Sequence, residues 1–74
     1  MSGSTKVIKY VNPPLVCDNC KLPFKKFMYD AKTVYGPWAN LCNDCFNVIG
    51  VGLGTGLGQQ YIKNEDGDWI KNAG

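Results

Sequence analysis

The sequence predicts a small α+β domain organised round a four-cysteine metal site, and three observations predict it. The 74-residue chain is too short to build a core that offsets its ordering entropy, so it needs a staple. Its four cysteines fall as two CxxC pairs, Cys17-Asp18-Asn19-Cys20 and Cys42-Asn43-Asp44-Cys45, separated by 21 residues. Around the pairs run β-rich stretches broken by turn residues, with a single short helical run after Cys42.

The cysteine pairs carry the chemistry. Two residues between cysteines let one tight turn aim both sulfurs at a common ion while backbone amides point at the thiolates. Two such turns close a tetrahedral four-sulfur shell, the form of a structural zinc site, with Cys17, Cys20, Cys42 and Cys45 as ligands. Iron in a rubredoxin-like site is the chemical competitor. Its knuckles normally place glycine after the second cysteine, where this chain has Lys21 and Phe46. A dithiol oxidoreductase needs its CxxC in a βαβ setting, and none is read here. Two structural disulfides are the remaining use. Met1–Lys6 shows no secretory pattern, which predicts a reducing cytoplasm and favours metal over disulfide.

Composition narrows the function. There is no histidine, hence neither the commonest general base nor the commonest nitrogen ligand. All eight basic residues are lysine, so bidentate arginine contacts to phosphate or guanine are absent. Four thiolates and one divalent ion bring the formal charge from +2 to zero. Lys21, Lys25, Lys26 and Lys32, between the knuckles, then read either as compensation for the metal centre or as a nucleic-acid patch formed by Lys25, Lys26 and Lys32. The uncharged stretch 45–62 is long enough for a membrane span, but five glycines, Asn47, Gln59 and Gln60 argue against one. A closed four-cysteine site offers no open coordination position, which predicts a protein that is not an enzyme.

Element by element, residues 1–6 read as a flexible tail and 7–74 as one zinc-binding domain. Val7–Val11 reads as a strand ended by Asn12-Pro13-Pro14. Phe24–Tyr29 and Thr33–Tyr35 read as a hairpin round Asp30-Ala31-Lys32. Asn43–Ile49 reads as one to two helical turns ended by Gly50 as C′, its positive N-terminus facing the thiolates. Knuckle, hairpin, then knuckle on a helix start is a treble-clef arrangement, with a zinc ribbon as the alternative. Gly50–Gly58 has glycine at every second position. If extended, it puts a bare face beside Val51, Leu53, Thr55 and Leu57, either to pack inside against Trp38 or Trp69 or to serve as a contact surface. It matches neither a P-loop nor a dinucleotide fingerprint. Gln60–Lys63 and Asp68–Lys71 read as a second hairpin round Asn64-Glu65-Asp66-Gly67, with Lys63 opposite Asp68 and Ile62 opposite Trp69.

Three resemblances rest on particular residues. Cys17-Asp18-Asn19-Cys20 with Leu41-Cys42-Asn43-Asp44-Cys45 resembles GATA-type treble-clef fingers, without their basic helix and tail. The second knuckle is also similar to that of the DksA/TraR family, without its long helical hairpin. Gly36-Pro37-Trp38-Ala39-Asn40-Leu41-Cys42, Gly50–Gly56 and Gly58-Gln59 resemble short bacteriophage and prophage four-cysteine zinc-finger proteins of uncharacterised role. That last resemblance implies a viral origin and cysteine-bound zinc, and carries no activity. The expectation is a non-catalytic binding module on a host or viral protein. Nine aromatics supply candidate anchors, Tyr10, Phe27, Tyr29, Tyr35 and Trp69. A DNA- or RNA-binding finger and an iron-loaded electron carrier are the competing functions.

Overall fold

A computed structural model describes residues 8–74; the expected tail and Val7 lie outside them. The elements are β1 (Phe27–Lys32), β2 (Trp38–Leu41), α1 (Asn43–Ile49), β3 (Gly58–Lys63) and β4 (Trp69–Ala73). All pairings are antiparallel and the spatial order is β2-β1-β3-β4. The two expected hairpins are therefore one sheet, because β1 pairs with β3 from Phe27↔Ile62 to Ala31↔Gly58.

Alternation along the strands gives the sheet two working faces. One carries Tyr29, Ala31, Leu41 and Gln60 and receives α1, whose Phe46 ring stacks on Tyr29 at 4.1 Å and 6°. The other carries Met28, Tyr61 and Trp69 and is covered by the chain before β1. Tyr10 meets Tyr61 edge-on at 5.1 Å, and Phe24 meets Trp69 edge-on at 6.0 Å. The core is thin: Met28, Leu41 and Cys17 are its largest fully buried side chains, and one of those is a candidate metal ligand. No helix among the described residues is long and apolar enough to cross a membrane.

Several elements differ from expectation, each for a local reason. Of the strand read at Val7–Val11, the described residues pair antiparallel with β4 over a short stretch: Lys9 bridges Ile70, the Tyr10 amide donates to the Trp69 carbonyl at 2.9 Å and the Lys71 amide to the Ile8 carbonyl at 2.8 Å. Asn12 at φ 53° then turns the chain away before Pro13. The first hairpin turns later than its β-rich residues suggested. β1 runs through Asp30-Ala31-Lys32, and Thr33–Pro37 form the turn. Thr33 closes that turn itself: its hydroxyl donates to the Pro37 carbonyl at 2.8 Å and accepts from the Tyr35 amide at 3.3 Å. Gly36, at φ 108°, supplies the reversal. The second hairpin is displaced by one residue, pairing Lys63↔Trp69 and Ile62↔Ile70. The Asn64 side-chain carbonyl accepts from the amides of Asp66 and Asp68 at 3.0 and 2.9 Å, which makes the loop five residues long.

Helix α1 has the predicted bounds, but Gly50 is extended (φ −76°, ψ 144°) and not a left-handed cap. Glycine is required there by close approach, since a Cβ would enter the Phe46 ring. The alternating glycines do not form a strand. Gly52, Gly54 and Gly56 have positive φ and coil the chain, while Gly58 enters β3 against Ala31. Val51, Leu53 and Leu57 are exposed instead of covering the core, and the nearest neighbours of Gly50, Gly52 and Gly58 are Phe46, Leu57, Ala31 and Gly52 itself, not a tryptophan.

Candidate metal centre

The first knuckle is a turn in which the Lys21 amide donates to the Cys17 carbonyl at 2.9 Å, with Lys21 itself at φ 65°. Strand β2 holds it in place. The Asp18 amide donates to the Asn40 carbonyl at 2.8 Å, and the Asn40 amide donates back to Asp18 Oδ2 at 2.7 Å. These two bonds also cover the outer edge of β2 at Asn40. The second knuckle is the start of α1. Cys42 is the N-cap and its sulfur accepts from the Cys45 amide at 3.5 Å. A helix start suits a thiolate, because its unpaired amides and dipole favour negative charge.

The two knuckles bring all four Sγ atoms within 4.8 Å of one another, as the spacing predicted. Cys20 and Cys42 sulfurs are 3.7 Å apart. A tetrahedral four-sulfur shell with metal–sulfur bonds of ~2.3 Å has sulfurs ~3.8 Å apart, close to the Cys20–Cys42 separation. The cysteines are free thiols, not disulfides. Cys17 and Cys45 are buried, while Cys20 and Cys42 are half-buried. Asn19 ties the knuckles together: its backbone amide donates to Cys17 Sγ at 3.4 Å and its side-chain amide to Cys45 Sγ at 3.2 Å.

The three shifted thiols differ widely. Burial pushes the Cys17 thiol up, but amides of Cys20, Cys42 and Asn19 outweigh it and bring the pKa to about 7. Burial raises Cys42, and the Cys20 and Cys17 sulfurs add to it. At Cys45 the Asn19 amide pulls down, yet burial and the other three sulfurs push the pKa up to about 12. Of these three, Cys17 is the most readily ionised and Cys45 the least, because each sulfur opposes a second negative charge beside it.

The other expected site residues are dispersed. Lys25 and Lys26 are exposed beside a cavity of about 360 Å³ that also reaches Phe27, Asn43 and Asp44. Lys32 sits at the opposite end of β1, roughly 20 Å beyond Lys26 along the extended chain, so the three lysines are spread along the strand. Tyr29 and Trp69, expected at an interface, are each only 5% exposed and belong to the core. Tyr10 and Phe27 are half-buried, and only Tyr35, 75% exposed, stands in solvent. Asp18, Asn19 and Asn40 were not singled out in the sequence. The CxNC pattern contains Asn19, but its sulfur partner lies 26 residues away. Compared with protein-family models, curated proteins and solved structures, the chain matches none.

Proposed function

We propose that the chain is a small non-catalytic binding module built round one structural zinc, with a protein as its partner. The observation that carries the metal is the cluster of Cys17, Cys20, Cys42 and Cys45 within 4.8 Å. Knuckle, hairpin and a helix that begins on the second knuckle support a treble-clef reading over a zinc ribbon, whose second knuckle would lie on a hairpin. Zinc bound there supplies rigidity. Four cysteine ligands fill its shell, so no position is left for water or substrate. The site's free thiols accord with a reducing cytoplasm, and the partner implied by the phage resemblance is a host or viral protein.

The partner surface is read at one end of the molecule. The Val34 amide donates to the Ile49 carbonyl and the Val51 amide to the Lys32 carbonyl, which sets the β1–β2 turn beside the glycine loop. Val34, Tyr35, Val51, Leu53 and Leu57 are all exposed there. Solvated apolar and aromatic side chains in one place suit a protein surface.

Metal analysis of protein purified without added metal tests the first half, and one equivalent of zinc is expected. Iron would turn the reading to electron transfer. For the second half, Tyr35→Ser with Leu53→Ser is expected to abolish capture of a partner by the zinc-loaded chain while leaving its metal content unchanged. Retention of DNA or RNA at ~150 mM salt, weakening steeply as salt rises, would instead establish a nucleic-acid finger.

A further inference from the structure

Three consecutive hydrogen bonds cross the helix-bearing face of the sheet. Asn72 Nδ2 donates to Gln60 Oε1 at 2.7 Å, Gln60 Nε2 to the Tyr29 hydroxyl at 2.9 Å, and that hydroxyl to Asn43 Oδ1 at 2.9 Å. The line starts on β4, passes through β3 and β1, and ends on the residue that follows Cys42. We propose that it positions the second knuckle for the metal, with the Tyr29 hydroxyl as the positioning group, so that metal retention is set partly at β3 and β4. This inference rests on the metal reading above.

The two knuckles are anchored unequally. The first has the paired bonds between Asp18 and Asn40, and a bond from the Cys17 amide to the Leu22 carbonyl at 2.9 Å. The second follows directly on β2, with Cys42 next to Leu41, but from Asn43 onward it stands on a helix of seven residues, too short to hold its own first turn. That helix packs on β1 and β2. The Tyr29–Asn43 bond is the one side-chain hydrogen bond from the sheet to residues 42–45 among those described.

The sense of the line is determined from its far end. Asn72 is the extra residue of a bulge, since Gln60 pairs with Ala73 and Tyr61 with Lys71. Its amide occupies Gln60 Oε1, which leaves Gln60 Nε2 to donate onward. A hydroxyl has a single proton, and with a lone pair taken by Gln60 the Tyr29 proton goes to Asn43. The Tyr29 ring, nearly parallel to Phe46 and buried, cannot swing away. Groups hydrogen-bonded to a metal ligand typically change metal affinity 10–100-fold when removed, and Tyr29 acts one residue further out through Asn43, which sets the expectation at the lower end of that range.

The test uses the zinc-loaded full chain with Tyr29→Phe, Asn43→Ala and the double variant. Zinc transfer to a chromophoric chelator and cobalt affinity by competition are measured, with the cobalt spectrum reporting the ligand set. Tyr29→Phe keeps the ring and its stack, and is expected to release metal about tenfold faster with the four-sulfur spectrum unchanged. Asn43→Ala should match it, and the double variant should be no worse than either single one. Release within twofold of the parent chain, or effects that multiply in the double variant, would overturn the line while leaving the metal reading intact. A parent chain that takes up neither zinc nor cobalt would overturn the metal reading itself, and the line with it.

Discussion

Asp30 lies on β1 between the two neighbouring strands, and its carboxyl is held above the ordinary value of 3.8, first by burial and then by the Asp18 charge. The folded chain therefore binds this proton more tightly than the unfolded chain does. In the window just above 3.8, stability from this residue falls as pH rises, and above the folded pKa the full penalty of a charged Asp30 is present. Asp30→Asn keeps the shape and removes the charge. It should stabilise the zinc-loaded chain at pH 7, with the difference from the parent shrinking as pH falls towards 4. Paired denaturant titrations across that range check it; proton release by the metal site is common to both chains and cancels in the difference. A variant no more stable than its parent at pH 7 would show that Asp30 is well solvated. Residues whose role depends on near neighbours were legible in the sequence, and those whose partner is remote were not. The four cysteines announce themselves because both members of each pair fall within one turn. Asn19 and Asn43 act on Cys45 and Tyr29 across 26 and 14 residues, and no local pattern signals that.

The elements show why the same rule limits register and turns. Asp-Gly chemistry locates the second hairpin, yet the Asn64 side chain adds a residue to its loop and moves both expected cross-strand pairs by one position. The glycine repeat reads as a strand by period alone, but its members serve two physical needs. Gly52, Gly54 and Gly56 provide positive φ, whereas Gly58 provides room. Substitution separates these. At Gly58 a Cβ would lie 2.7 Å from Ala31 Cβ and 2.7 Å from the Gly52 carbonyl oxygen, at the Ala31↔Gly58 end of the β1–β3 pairing. Gly58→Ala should cost about 1–3 kcal/mol through overpacking and shift strand resonances on both β1 and β3. At Gly54 no atom lies within 4 Å, so Gly54→Ala meets only backbone strain at φ 124°, of order 1–3 kcal/mol, and its shifts should stay inside the loop. Amide spectra of the two variants distinguish packing from conformation even where their stabilities coincide. If Gly58→Ala disturbs only the loop, the tight β1–β3 approach is wrong.

The whole molecule depends on whether so thin a core can hold a four-stranded sheet. Native domains are stable by about 0.05–0.15 kcal/mol per residue, which for a chain of this length is on the order of 4–11 kcal/mol. Structural zinc contributes roughly 10–16 kcal/mol in finger peptides, as much as the whole margin or more. A zinc ion held as proposed would act on both halves of the fold. Cys17 is part of the core, the first knuckle closes the edge of β2, and the second begins the helix that covers the sheet. The metal-free chain should therefore lose the sheet as well as the knuckles. With zinc buffered above its dissociation constant, stability should rise by about 1.4 kcal/mol for every tenfold increase in free zinc. Chelation should collapse the dispersed amide spectrum, including β3 and β4, which carry no ligand. Denaturation midpoints measured across a zinc buffer series check the slope. A sheet that keeps its dispersion after chelation, or midpoints indifferent to free zinc, would mean that Met28, Leu41, Tyr61 and Trp69 suffice as a core and that the cysteine cluster is an addition to a fold already made.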